Sequence, residues 1–551
     1  MDSEWDHIVV GAGSAGCVVA ARLAEAGRSV LLLEAGGSDD RRWIRIPLGV
    51  GKLLTDESVA WRFATEADPG DAGRRMVWPR GKVLGGSSSV NGMIWVRGDR
   101  RRWDEWGAEC PGWGWDAIGP VMRSVERTEI GDPALRGRDG PVTIEPMVGD
   151  DPLTDAYIAA CTAEGIPANP DYNGASSEGV GRLQANIRRG SRHSMAQAYL
   201  HPALARHPGL KVETGAFAQR VIFEGRRAVG VRYLRAGQPQ TARARFGVVL
   251  SAGSIQSPQL LELSGVGQAE RLRALGVPVV HDLPGVGENL SDHFHIRVTW
   301  RSRGVLTVND LVNRPWLHGP TQMLLWQLLG KGLLRGVSAT AHALARTAPG
   351  STRPDMKLQL HKISAADRTG YGKDTGLDPF SGVSIGFFQL YPESRGSVHV
   401  VAPEMAVPPA IRPNYLDHEE DRAAAIRGLR LARSIGSQPA LRPFLIEETR
   451  PGRVVQSGDE LLDYARRVGQ TSYHPVGTCR MGSGPEAVVD TQCRVHGVDG
   501  LRVIDAAVMP FLVSSNTNAP TVAVAERAAA LILAERNQPP IAMSAATEAA
   551  D

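Results

Sequence analysis

The stretch Asp6–Glu34 constrains this chain more than any other part of it. Asp6–Val10 is apolar and β-branched and reads as a buried strand. Gly11-Ala12-Gly13-Ser14-Ala15-Gly16 follows as a glycine-rich turn. Ser14–Ala26, rich in Ala, Val and Leu, reads as a helix ended by Gly27, and Ser29–Glu34 as a second strand. Strand, turn, helix and strand make a βαβ unit. In it Gly11 permits the tight turn, Gly13 lets the backbone approach a pyrophosphate, and Gly16 lets the helix pack closely on the strand. The helix N-terminus, at Ser14 and Ala15, then faces the phosphates. Glu34, with Ala35 behind it, stands at the end of the second strand, placed to accept from a ribose hydroxyl. The unit predicts a dinucleotide and does not by itself separate FAD from NAD.

Composition adds limits. The 551 residues carry 62 basic and 59 acidic side chains, a formal charge of +3, and no basic stripe interleaved with aromatics or zinc spacing points to nucleic acid. The basic runs Arg97–Arg102 and Arg189–Arg192 read as solvated faces. Cys17, Cys110, Cys161, Cys479 and Cys493 are widely spaced and odd in number, which fits a reducing compartment rather than a disulfide framework or a metal site. The apolar segment Met323–Leu334 is broken by Gln327, Gly330, Lys331 and Gly332 and falls short of the roughly 20 residues of a bilayer span. No signal-peptide pattern opens the chain. A cytoplasmic protein without a transmembrane segment is expected.

Pro, Gly and Trp punctuate residues 40–120, which are expected to wrap a cofactor with little regular structure. Strands are expected at Leu210–Thr214, Arg220–Phe223, Ala228–Tyr233, Phe246–Ser251, Met356–His361, Val383–Leu390 and Leu501–Ile504, and helices at Gln456–Arg467 and Pro520–Ala534. After Pro539 the tail reads as disordered.

A second glycine and serine block runs from Pro79 and Arg80 through Gly85, Gly86, Ser87 and Asn91 to Met93, with Trp95-Val96-Arg97-Gly98 behind it. It resembles the first signature of the glucose–methanol–choline (GMC) flavoprotein oxidoreductases. Other blocks agree in order: Gly253–Leu261 with Ser264–Gly267, then Leu283–His293, His474–Gly482, Val503–Pro510 and Asn516–Thr521. The resemblance spans about residues 6–535 and is nearest to the choline-dehydrogenase-like bacterial branch. It implies an α/β fold: a discontinuous Rossmann-like FAD-binding domain and an α+β substrate domain with an antiparallel sheet. The first is expected over residues 1–295 and 453–538, with an inserted substrate-domain segment near 150–190. The second is expected over 296–452, and 539–551 form the tail.

The resemblance also implies roles. Hydride transfer from an alcohol needs a base near neutrality, and imidazole is the side chain whose ordinary pKa lies there. His474, followed by Pro475 and so biased toward extended backbone, is expected to be that base. Asn518, just ahead of Pro520 and the last helix, is expected to hold the substrate oxygen; read alone, it would cap that helix. Cofactor contacts are expected from Gly11, Gly13, Ser14, Ala15, Gly16, Glu34, Ala35, Arg80, Gly86, Ser87, Asn91, Gly92, Met93, Ile94, Val221, Ala252, Tyr473, Asp505, Ala506, Asn518 and Pro520. Several relatives bond the flavin covalently through a histidine in the loop that here holds Ser89 and Val90, so non-covalent FAD is expected. The expected partners are a small-molecule alcohol and an electron acceptor, oxygen or a redox protein. A lyase using the same base, an NAD-dependent dehydrogenase built on the first motif, and a non-catalytic flavoprotein are the competing readings. A choline-type cation would want an aromatic box and a carboxylate; a sugar, aminocyclitol or polyol hydroxyl fits the sequence about as well.

Overall fold

The computed structural model describes residues 4–366 and 376–535, and two seven-stranded sheets organise them. In the first, Leu210–Thr214, Val30–Glu34, Glu4–Val10, Gln238–Leu250 and Leu501–Val503 lie parallel in that order. Arg227–Arg235 and Ala216–Glu224 extend it antiparallel from Gln238–Leu250. Val30–Glu34 is buried throughout and Glu4–Val10 from His7 onward, the near-continuous apolar reading of central parallel strands. The helix Ser14–Glu25 covers these strands, and the helix Asn518–Ala534 packs against it, with Arg22 of the first donating to Glu526 of the last. First and last helices therefore share one core.

The second sheet is antiparallel, in the order Leu445–Arg450, Phe294–Ser302, Gly382–Gln389, Met356–His361, Ala339–Ala345 and Gly179–Arg182; Gln470–Thr471 pairs with the start of Phe294–Ser302. Strand alternation gives it two unlike faces. Ile296, Val298, Met356, Leu358, Leu360, Val383, Ile385 and Phe387 belong to a core built with residues of the helices Pro152–Ala163, Glu419–Ser437 and Gly458–Val468. His295, Arg297, Lys357, His361 and Phe388 alternate with them and point the other way, toward the first sheet's domain.

The structure revises several expectations. The second layer runs past residue 452, since Gly458–Val468 packs in its core and Gln470–Thr471 in its sheet. Conversely, the hairpin Ser397–His399 and Ala410–Arg412 returns to the helix Gly253–Leu263 of the first domain. Residues 40–120 hold the regular helix Arg100–Glu109, with Trp115–Val125 next to it. Asp99 caps the former by accepting from the Arg101 amide, and Trp103, Trp106 and Trp113 stack in series at 5.2 Å each. The charge of that segment masked its buried face. Arg97 and Arg192 are not solvated. Arg97 is 3% exposed and ion-paired to the buried Glu126, and Arg192 is 5% exposed, its guanidinium holding main-chain oxygens of Ile44 and Asn91. The expected tail at 539–551 lies outside the described residues.

Candidate active site

A cavity of about 880 Å³ lies between the two sheets, near the upper end of the roughly 300–1,000 Å³ of small-molecule and cofactor sites. Its floor is the first βαβ unit. Gly11, Gly13, Ser14, Ala15, Glu34 and Ala35 line it. Gly16 does not; a Cβ there would stand 1.8 Å from the Gly11 carbonyl oxygen, so this glycine serves the helix–strand contact instead. The second glycine block packs on the first: the Gly85 amide donates to the Ala12 carbonyl at 2.8 Å, and a Cβ on Gly86 would come within 2.6 Å of the Gly13 Cα. Arg80, Gly86, Ser87, Asn91, Gly92, Met93 and Ile94 line the wall above it.

Glu34 accepts from the amides of Ala12 and Gly36, and burial raises its carboxyl to about 7. Asp505 accepts from Gly253 N–H, Ser257 Oγ–H and Ala507 N–H, and so ties the Gly253–Leu263 helix to the cavity beside Ala252 and Ala506. Besides Gly16, two further expected contacts do not reach the cavity lining. The amide of Val221 donates to Ser264 Oγ at 2.9 Å, and Ala216, Phe217 and Ala218 line the cavity in its place. Pro520 is buried in the first turn of the last helix, and Asn516, Thr517, Asn518 and Thr521 line the cavity there. Strand alternation could have found Ala218, which shares a face with Ala216.

His474 sits on a loop between the two sheets. Tyr473 before it is held at φ +65°, a conformation L-residues adopt only under constraint. Three hydrogen bonds supply that constraint: Tyr473 N–H to Thr471 Oγ1 at 2.7 Å, Arg80 to the Tyr473 carbonyl at 2.9 Å, and His474 N–H to Asp292 at 2.7 Å.

The side-chain network fixes the tautomer of His474. His293 Nε2 lies 3.1 Å from the Leu390 carbonyl oxygen, which can only accept, so that nitrogen carries hydrogen. Burial pushes the His293 imidazole down to about 3, leaving it neutral, so its Nδ1 is an acceptor. His474 Nδ1, 3.0 Å away, must therefore be the donor. The His474 Nε2 lone pair is left free to accept, and it receives Asn516 Nδ2–H at 2.9 Å. Burial, together with the nearby His293, Lys357 and Arg80, holds His474 well below the ordinary imidazole range.

Asn516 is the asparagine in contact with His474, and Asn518 lines the cavity beside it. The Asn518 carbonyl oxygen accepts instead from Ser14 Oγ at 2.7 Å, across the N-termini of the first and last helices, and its Nδ2 is buried without a partner among the described residues. The two asparagines differ by two positions on one turn, and only the fold shows which faces the histidine. Lys357 was not foreseen either. It is fully buried on the second sheet and donates to Asn516 Oδ1 at 2.6 Å and Ser515 Oγ at 2.9 Å. That contact turns the Asn516 carbonyl away from His474 and its amide N–H toward it. A lysine facing a core in a single sequence gives no signal of its own beyond breaking the apolar pattern.

The cavity thus joins a helix N-terminus, an unprotonated imidazole nitrogen and an oriented amide donor. A group with acceptor oxygens fits the Asn518 Nδ2 and the glycine-lined floor, which a Cβ would obstruct. The chain matches the GMC oxidoreductase N-terminal pattern over residues 5–295 and the C-terminal pattern over residues 392–525. It is 40% identical to the oxygen-dependent choline dehydrogenase of Vibrio vulnificus (strain YJ016), over 98% of this chain and 96% of that protein. It is 37% identical to the alcohol dehydrogenase [acceptor] of Pseudomonas putida, over 96% of each chain. Among solved structures, the pyridoxine 4-oxidase from Mesorbium loti superposes with a TM-score of 0.86 at 31% identity, covering 96% of this chain and 98% of that one.

Proposed function

The chain belongs to the GMC oxidoreductase family and is an FAD-dependent alcohol oxidoreductase, and from that premise we propose that it oxidises an uncharged primary alcohol with His474 as base and Asn516 as the oxyanion donor. The observation that carries the roles is the tautomer chain from the Leu390 carbonyl through His293, which leaves His474 Nε2 without hydrogen and accepting from the Asn516 N–H. FAD, when bound, supplies the acceptor for the hydride. The glycine turns at 11–16 and 85–86, the Ser14 end of the first helix, Glu34 and Asn518 would hold it. Val90 lines the cavity and offers no nucleophile, which supports non-covalent binding.

The substrate hydroxyl would displace Asn516 from His474 Nε2, donating its proton to the ring nitrogen while Asn516 Nδ2–H donates to the hydroxyl oxygen. As the proton leaves, negative charge builds on that oxygen and drives hydride from the carbinol carbon. An oriented N–H in a water-poor site stabilises such charge, typically by about 2.7–4 kcal/mol per donor. Lys357 keeps the amide in register.

The substrate class follows from charge. Arg297, His361 and Ser338 line the cavity on the second sheet's side. Among the described residues, Glu34 and Asp505 are the carboxylates that line the cavity, and both lie on the first domain, engaged with its main chain. Val308, Leu311, Val312, Ile363 and Leu377 give the cavity an apolar wall, suited to an uncharged body. Reoxidation by oxygen is proposed on the likeness to the Vibrio vulnificus enzyme, whose name carries that acceptor.

The test is an anaerobic titration of the purified yellow protein with benzyl alcohol, 1-hexanol and choline, followed at the flavin band. Bleaching by an uncharged alcohol is expected, slowed by about 10²–10⁴ in His474→Ala, with oxygen uptake on re-aeration. A flavin that no alcohol bleaches, or an unimpaired His474→Ala, sinks the reading.

A further inference from the structure

The helix Pro315–Leu329 is anomalous for a surface element. It contains no Asp, Glu, Lys or Arg, yet Trp316 is 75% exposed, Leu317 and Leu324 are 57%, and Leu328 is 71%. Six of the ten large apolar side chains left exposed among the described residues fall between Val312 and Leu329. At 100° per residue, Trp316, Pro320, Leu324, Leu317 and Leu328 share one outward face. Its inner side is used: Pro315, Gly319 and Met323 wall the cavity, and Trp326 donates its indole N–H to the Gly190 carbonyl at 2.8 Å. The helix is therefore seated, and its outer face is bare by construction. A single exposed leucine is ordinary, but a contiguous apolar patch on a soluble surface marks a contact.

The border of the patch says what that contact is. Arg314 precedes the helix and Lys331 follows it, both exposed. The exposed Arg42 reaches across to Met323 at 3.1 Å, and the backbone of the exposed Arg189 lies against Gly330 at the helix end. An apolar, tryptophan-bearing face with a cation at each end and two more along its inner edge complements an anionic bilayer surface: side chains enter the acyl boundary while the cations meet headgroup phosphates. A second copy of this chain seated on the same face about a twofold axis would bring the same cations together, which charge disfavours. The helix is also too short to cross a bilayer, and no described helix is long and apolar enough to do so.

We propose that the outer face of Pro315–Leu329 docks this protein peripherally on an anionic lipid bilayer, with the cavity wall immediately beneath the contact. The test is co-sedimentation of the FAD-loaded protein with large vesicles of phosphatidylcholine alone or with one quarter phosphatidylglycerol, in low and in 0.5 M salt. Binding to the anionic vesicles is expected, weakened several-fold by salt and at least ten-fold by Leu324→Glu/Leu328→Glu, and several-fold by Arg314→Gln/Lys331→Gln. Neither pair lines the cavity, so the flavin spectrum and turnover of a water-soluble alcohol should match wild type and report an intact fold. Wild type left in the supernatant with both vesicles overturns the proposal, as does binding that neither pair of substitutions changes. A wild-type dimer that Leu324→Glu/Leu328→Glu converts to monomer, with no vesicle binding, assigns the face to a second copy and likewise overturns it.

Discussion

Asn516 and Asn518 sit two residues apart and do different work. Asn516→Ala removes the N–H beside His474 and is expected to slow flavin reduction by about 10²–10³ with FAD retained. Asn518→Ala removes the partner of Ser14 and is expected to lower FAD occupancy with far less effect on the reduction rate of the loaded fraction. Stopped-flow reduction and bound-FAD content, measured on both variants, separate the two. Lys357→Met should resemble a milder Asn516→Ala, because the amide loses the group that fixes its orientation. The pH dependence follows from the same cluster. His474 is held below its ordinary pKa, so the bare Nε2 is present at neutrality and is lost only as pH falls through a value below 6.5. The reduction rate is expected to be flat from about pH 6.5 upward and to drop in acid; an inflection above 7 would contradict the assignment. Stability has the same sign. His293 is neutral when folded down to about 3, whereas the unfolded chain takes a proton near 6.5, so stability present above 6.5 is lost at about 1.4 kcal/mol per pH unit below it. Thermal melts at pH 7 and pH 5 check this.

Among the elements, the βαβ unit was readable because its three requirements are local: apolar strand, glycines at fixed offsets, and an acid at the next strand's end. Strands at Leu210–Thr214 and Met356–His361 were legible for the same reason. What was not legible depends on distant packing. Arg100–Glu109 looks like a charged loop until the tryptophans find their stack, and Val221 looks as good as Ala218 until Ser264 claims its amide. The glycine elements give a sharp prediction. Gly86 has φ +52° and sits with its Cα face against Gly13, so Gly86→Ala forces the two glycine turns apart. Loss of FAD is expected, with the apoprotein keeping most of its far-ultraviolet circular dichroism; an Ala variant that stays yellow would refute the close approach.

Across the whole molecule, the site is the seam of two sheets with unlike characters. The first contributes glycines, helix starts and two engaged carboxylates; the second contributes Arg297 and His361 to the lining, with Lys357 buried behind Asn516. The Arg297 guanidinium on that side is expected to disfavour a cationic substrate. Choline is therefore expected to reduce the flavin at least ten-fold more slowly than benzyl alcohol at equal concentration, despite the 40% identity to choline dehydrogenases; steady-state kcat/KM for the two decides it. The sequence blocks pointed to a base and a donor, but not to the residues of the opposite wall, because that wall is assembled from alternate residues of strands far apart in the chain. The hydrogen bond from Ser14 to Asn518 adds an order in time. It joins residues 504 positions apart, and the last helix closes over the first. While a ribosome is still making the chain, the nucleotide fold at its beginning stands open, lacking the segment that carries both asparagines. A chain cut short before residue 516 is therefore expected to emerge without bound flavin, which its visible spectrum would show.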